Sequence, residues 1–105
     1  VIVRVFRARI KPGKLEEWRE KVERVAVPGI RSAPGLLAFF PGAPLDPATR
    51  EFSFVTLWRD LDSLRAYAGA EWQKGAIPPE QRPLVEESWV QHYEAFAHSP
   101  VPGVG

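Results

Sequence analysis

The chain has 105 residues, 45% of them hydrophobic and 26% charged, with a net charge of +1 and no cysteine. That length and balance fit one globular domain around one core, and no apolar run reaches the ~20 residues of a membrane span. The near-neutral charge removes the electrostatic footprint of a nucleic-acid or anionic-membrane binder, and the lack of cysteine excludes disulfides, thiolate metal centres and cysteine nucleophiles.

The opening VIVRVFRARI is rich in β-branched residues and runs into Lys11-Pro12-Gly13, which predicts a strand over Val1–Ile10 and then a turn. Leu15, Trp18, Val22 and Val25 follow at helical spacing, with Glu17–Lys21, Arg19–Glu23 and Glu20–Arg24 as i,i+4 pairs. Pro28-Gly29 is expected to stop this helix. An apolar run from Gly35 to Phe40 predicts a second strand, Pro41 to Arg50 a hairpin-like loop, and Glu51 to Trp58 a third strand. Asp60 is placed to cap a second helix whose inner face is Leu61, Leu64 and Ala68, with Gly69 as its terminator. Ala70 to Lys74 can add one more turn, Pro78, Pro79 and Pro83 force an irregular path, and a last strand is expected from about Leu84 to Phe96. The domain therefore spans residues 1–97, and residues 98–105, with two prolines and two glycines, form a loose tail. The order β-α-β-β-α-β is that of a ferredoxin-like α+β sandwich, a four-stranded antiparallel sheet with both helices on one face.

Strand alternation then puts Val1, Val3 and Val5 on one face of the first strand against Ile2, Phe6, Ala8 and Ile10 on the other. The third strand sets Phe52, Phe54 and Trp58 against Val55 and Leu57, and the fourth sets Trp89, Tyr93 and Ala95 against Val90 and Phe96. One helical layer covers one face only, so a second apolar face predicts a homodimer through the sheet, closing a dimeric α/β barrel. Ten arginines against four lysines, eleven prolines and no Asn or Met give a thermophile-like composition. With no cysteine and no secretory pattern, a cytoplasmic location is expected.

The motifs RIKPGKLEEW, APGLLAFF, FVTLWRDLDSLRAY and AEWQKG resemble the antibiotic biosynthesis monooxygenase domain of the dimeric α/β-barrel superfamily, and the resemblance covers Val1 to Phe96. It implies that fold and the family's range of activities: cofactor-independent oxygenation of electron-rich phenols, quinol oxygenation, haem degradation, or none known. The haem-degrading branch uses an Asn on strand one, a Trp on the second helix and a His after it. Those positions fall here at Phe6, Tyr67 and Ile77, so the resemblance does not extend to haem degradation.

In that fold the pocket lies between helices and sheet, where Phe6, Phe54, Trp58, Tyr67, Trp72 and His92 can line it and take a small apolar or aromatic ligand. Trp58 reads equally as a core anchor joining strand to helix. His92 is the strand-borne group that titrates near neutrality and is the candidate base, with Tyr67 beside it, while Arg4 interrupts an apolar face and can hold an oxyanion. Each also has a structural reading: Tyr67 and Trp72 as packing, His92 as a hydrogen-bonded seam residue, Arg4 as an interfacial ion pair. His92 and His98 lack metal-ligand spacing, and no phosphate-binding or dinucleotide glycine motif occurs, so no metal and no cofactor is expected. The function that follows is a cofactor-independent monooxygenase of a small aromatic or quinol-type substrate. The alternative is a non-catalytic dimeric barrel that binds a small apolar molecule or serves as an assembly module.

Overall fold

The structure is a computed structural model and describes residues 1–75 and 77–102. Its four strands are β1 (Ile2–Ile10), β2 (Leu36–Gly42), β3 (Glu51–Trp58) and β4 (Val85–Glu94), antiparallel in the order β2-β3-β1-β4. The register gives the faces directly. Arg4 lies opposite Thr56 and His92, Phe6 opposite Phe54 and Val90, and Ile2 opposite Trp58, so these side chains share the inner face. Val3, Val5, Val55, Leu57, Trp89 and Tyr93 share the outer one.

The helical layer departs from the expected stop at Pro28-Gly29. α1 (Leu15–Lys21) passes through a π-helical segment (Val22–Ala26) straight into α2 (Val27–Ile30), which contains that Pro-Gly pair. A proline inside a regular α-helix removes one hydrogen bond and drives its ring against the carbonyl four residues back, here that of Arg24. The wider π turn immediately before Pro28 relaxes that conflict, and the helix continues. On its outer surface Arg19–Glu23 and Arg24–Glu20 pair at 3.3 Å, while Glu17 meets Lys14 at 3.9 Å in place of Lys21.

α3 (Leu61–Ala68) begins as its sequence directs: the Asp60 carboxylate accepts from Ser63 N–H at 2.8 Å and from its hydroxyl at 2.7 Å. Those bonds hold the Asp60 carboxyl below its ordinary range. Gly69 closes the helix at φ 84°, as expected. The fourth strand ends earlier than predicted. β4 stops at Glu94, opposite Ile2 where β1 starts; Ala95 N–H makes a last bond to Val1 O, and Phe96 is fully exposed. Residues 103–105 of the expected tail lie outside the described residues.

The core forms two clusters. Ala8, Ile10, Trp18, Val22, Val27, Phe52 and Leu84 make one, and Ile30, Trp58 and Leu64 make the other. Trp58 is fully buried and its indole N–H donates to Thr56 Oγ1 at 2.8 Å, the partner a buried indole requires. Phe39 and Phe54 pack against both clusters.

Gly35, at φ 83°, sits where any Cβ would strike the Ser63 side chain, whose hydroxyl donates to the Asp60 cap of α3. Gly35→Ala should therefore destabilise by ~1–3 kcal/mol. Gly29, in α2, has open space where its Cβ would stand. Gly29→Ala should stabilise by ~0.5–1 kcal/mol. Urea unfolding of the two variants beside the wild type measures both, and equal midpoints would contradict this account.

Candidate functional site

Between the two core clusters the helices and sheet part around a cavity of about 300 Å³. The sheet supplies Arg4, Phe6, Phe54, Thr56 and Trp58, and the long helical run supplies Trp18, Val22, Val25, Ala26, Gly29 and Ile30. Three of those helical residues, Val22, Val25 and Ala26, belong to the π segment. Tyr67 of α3, Ile77, Pro78 and Gln81 complete the wall. A smaller cavity of about 110 Å³ toward the end of β2 at Pro41–Ala43 shares Phe6, Trp18, Val22 and Phe54. These four side chains stand between the two spaces.

Arg4 is the cation of the site. A guanidinium can only donate, and burial of part of this one lowers its pKa, so it needs acceptors nearby. It finds them on the loop after α3: Nη1 donates to Trp72 O at 2.8 Å and Nη2 to Lys74 O at 3.4 Å. Nη1 also lies 3.1 Å from His92 Nε2. Because arginine has no lone pair to offer, that imidazole nitrogen must accept, which fixes His92 as the neutral tautomer with its proton on Nδ1. Burial and then the Arg4 charge both lower the His92 pKa, in agreement with a neutral ring.

The loop lies close over the sheet. A Cβ on Gly75 would come within 2.8 Å of the Phe6 ring, so only glycine lets the backbone descend to that depth. Trp72 stands edge-on to His92 at 4.9 Å, and the Arg65 guanidinium lies 5.4 Å from the Trp72 ring centre. Tyr67 is half exposed at the cavity rim, 5.3 Å from Trp58 between ring centres. Partial burial raises the Tyr67 hydroxyl pKa and the Arg4 charge opposes that rise.

Of the residues singled out in the sequence, Arg4, Phe6, Phe54, Trp58 and Tyr67 line the main cavity together. His92 and Trp72 are not in its lining and instead meet Arg4, through the His92 ring and the Trp72 carbonyl. Trp58 takes both readings at once, as the buried anchor of one cluster and part of the cavity wall. Thr56 and Gln81 were not foreseen. Thr56 follows from period two on β3, two residues from both Phe54 and Trp58. Gln81 sits between prolines in a segment with no periodicity, and only the turn that carries it brings it inward.

The family model for antibiotic biosynthesis monooxygenases matches residues 1–99, and the chain belongs to this family. No curated protein sequence matches it. A solved structure from Deinococcus radiodurans assigned the same family name superposes with a TM-score of 0.74 at 15% identity, covering 98% of this chain and 100% of that one. SnoaB, a cofactor-independent oxygenase from Streptomyces nogalater, superposes with 0.71 at 18% identity, covering 94% and 96%. MhuD, a heme-degrader from Mycobacterium tuberculosis with two hemes bound in its active site, gives 0.70 at 17% identity, covering 95% and 100%. At these identities the likeness establishes a shared fold.

Neutral His92 gives the site a pH dependence with a definite sign. Its folded pKa lies below the unfolded value of 6.5, so the stability it contributes is complete above 6.5 and declines as pH falls from there through the folded pKa. Protonation also removes the acceptor for Arg4 and sets two cations 3.1 Å apart. The His92 ring resonances should titrate with a midpoint below 6.5, and amide exchange at Trp72–Lys74 should accelerate across the same range. A midpoint at or above 6.5 would contradict the assigned tautomer.

Proposed function

We propose that this member of the antibiotic biosynthesis monooxygenase family is a cofactor-independent oxygenase of a small, flat aromatic or quinol-type substrate held in the 300 Å³ cavity beside Arg4. One observation carries the reading: an aromatic-walled cavity whose single charged lining residue, among the described residues, is a cation. An aromatic wall suits a planar ring system, and an unopposed guanidinium favours a ligand that can become an anion.

The chemistry balances with dioxygen alone. A benzylic CH2 beside a phenol or ketone loses one proton, and the resulting enolate or phenolate is stabilised by Arg4. The electron-rich carbon then forms a C–O bond to dioxygen, giving a hydroperoxide. Loss of the second C–H proton with O–O cleavage leaves a C=O on the ring and releases water. Four electrons leave the carbon and four reduce dioxygen, so no external reductant enters. Tyr67 at the rim is the side chain placed to relay the proton between substrate and solvent. His92 acts through Arg4, holding the guanidinium in place, and is a positioning residue in this scheme.

A second reading, a barrel that binds an apolar ligand without turning it over, is supported by the engagement of His92. Its Nε2 is occupied by Arg4, and the cavity lining includes no Asp or Glu among the described residues. In either case we infer a homodimer through the outer sheet face. Val3, Val5, Val55 and Leu57 form an apolar patch there, flanked by half-exposed Tyr93 and Phe40. At its end Arg7 and Arg9 each stand 5.3 Å from the Trp89 ring centre and pair with Glu51 and Glu87 at 3.6 and 3.2 Å, giving that patch a border of ion pairs.

Two measurements test these readings. Oxygen uptake with a hydroxyanthrone or quinol should depend on the protein, and Arg4→Met should lower the rate by about 10²-fold, the scale of losing one oxyanion donor. No uptake above the uncatalysed background leaves the binding reading in its place. Sedimentation at micromolar concentration should show a dimer that Leu57→Glu converts to a folded monomer. A monomeric wild type would end the dimer reading.

A further inference from the structure

The polar groups on the cavity wall are unequally satisfied. Arg4 has its two loop carbonyls and His92. Thr56 Oγ1 accepts from Trp58 and so keeps its own hydroxyl hydrogen for a further bond. Gln81 is different: the residue is 2% exposed, it lines the cavity, and its Nε2 is buried with no hydrogen-bond partner. Buried amides are nearly always paired, because an unpaired one forfeits its hydration with nothing in return.

The backbone explains why the side chain stays there. Gln81 N–H donates to Pro78 O at 2.9 Å and Gln81 O accepts from Leu84 N–H at 3.0 Å. Leu84, three residues on, is buried in the larger core cluster, so the turn cannot swing the amide out without extracting that leucine. A buried carboxamide with an unpaired N–H, carried by a turn anchored in the core and belonging to a residue of the cavity lining, is a recognition element in waiting. A leucine or methionine would fill the same volume with no desolvation penalty, so packing alone does not account for glutamine at this position.

We propose that Gln81 is a specificity-determining residue of the cavity, its carboxamide pairing with an oxygen substituent on a planar aromatic ligand. This rests on the reading of the cavity as a ligand site and adds the group that selects among ligands. Donor and acceptor edges exchange by a half-turn of the terminal amide, so Gln81 can donate to a keto or phenolate oxygen or accept from a hydroxyl. With Arg4 supplying charge and Gln81 supplying a directional bond, the ligand must carry oxygen and cannot be a bare hydrocarbon.

The test compares 1-naphthol with 1-methylnaphthalene, which share a shape and differ by OH against CH3, by equilibrium dialysis against the full chain. The wild type should bind 1-naphthol about tenfold more tightly, and Gln81→Met should remove that preference by weakening 1-naphthol about tenfold while leaving 1-methylnaphthalene within about twofold. Gln81→Asn, which withdraws the amide by one methylene, should lose most of the preference while retaining a polar group. The same preference ratio in wild type and Gln81→Met would overturn the proposal and leave the cavity reading intact. No wild-type preference for 1-naphthol would overturn it before any variant is made. If neither probe bound the wild type, the cavity reading would fail and this proposal with it.

Discussion

A guanidinium on the inner face of a central strand organises this protein. Arg4 is partly withdrawn from water and cannot accept a hydrogen bond, so the groups that pair with it must offer a lone pair. The backbone carbonyls of Trp72 and Lys74 do so, which draws the loop after α3 down onto the sheet. His92 does so, which settles the protonation of the one imidazole near the cavity. The loop then closes one end of the cavity, and the depth of its descent is what demands glycine at position 75. One charge thus fixes a loop, a tautomer and the sign of the local field.

The opposite wall depends on a conflict that the chain resolves by widening. A proline in the first helical run would ordinarily end it, and an ended helix would leave Gly29 and Ile30 unable to close over β3. The π segment lets the helix absorb Pro28, so that Gly29 and Ile30 stay in the cavity wall beside Val25 and Ala26. Helix continuity and cavity shape therefore have one cause.

The sheet was legible because its residues alternate without ambiguity. The span Glu51–Trp58 agrees with the strand found there, and the Asp60 cap and Gly69 stop define α3 as their chemistry requires. The passage through Pro28-Gly29 was not legible, since a π turn has no sequence period of its own and arises only when packing rewards continuity. The early end of β4 was missed because Ala95-Phe96 continues the apolar alternation after the pairing partner runs out. In the cavity, Arg4, Phe6, Phe54, Trp58 and Tyr67 could be named from strand faces and helix position. The separation of His92 and Trp72 from the lining could not, because it depends on how each one meets Arg4. Gln81 was invisible for a related reason: its inward direction is set by two backbone hydrogen bonds in an aperiodic turn.

The strand order also bears on how the chain reaches this state in a cell. β1 is made before the other three strands, yet it occupies the middle of the sheet and pairs only with β3 and β4. Its ladder partners on β4, up to Glu94 opposite Ile2, are made after every other strand of the sheet. At ~5–20 residues per second a strand apolar on both faces waits several seconds without a neighbour, and closing so long a loop is slow even after synthesis ends. The arginines at positions 4, 7 and 9 make that waiting strand a poor template for self-association, so charges that serve the finished cavity and the outer sheet face also guard the nascent chain.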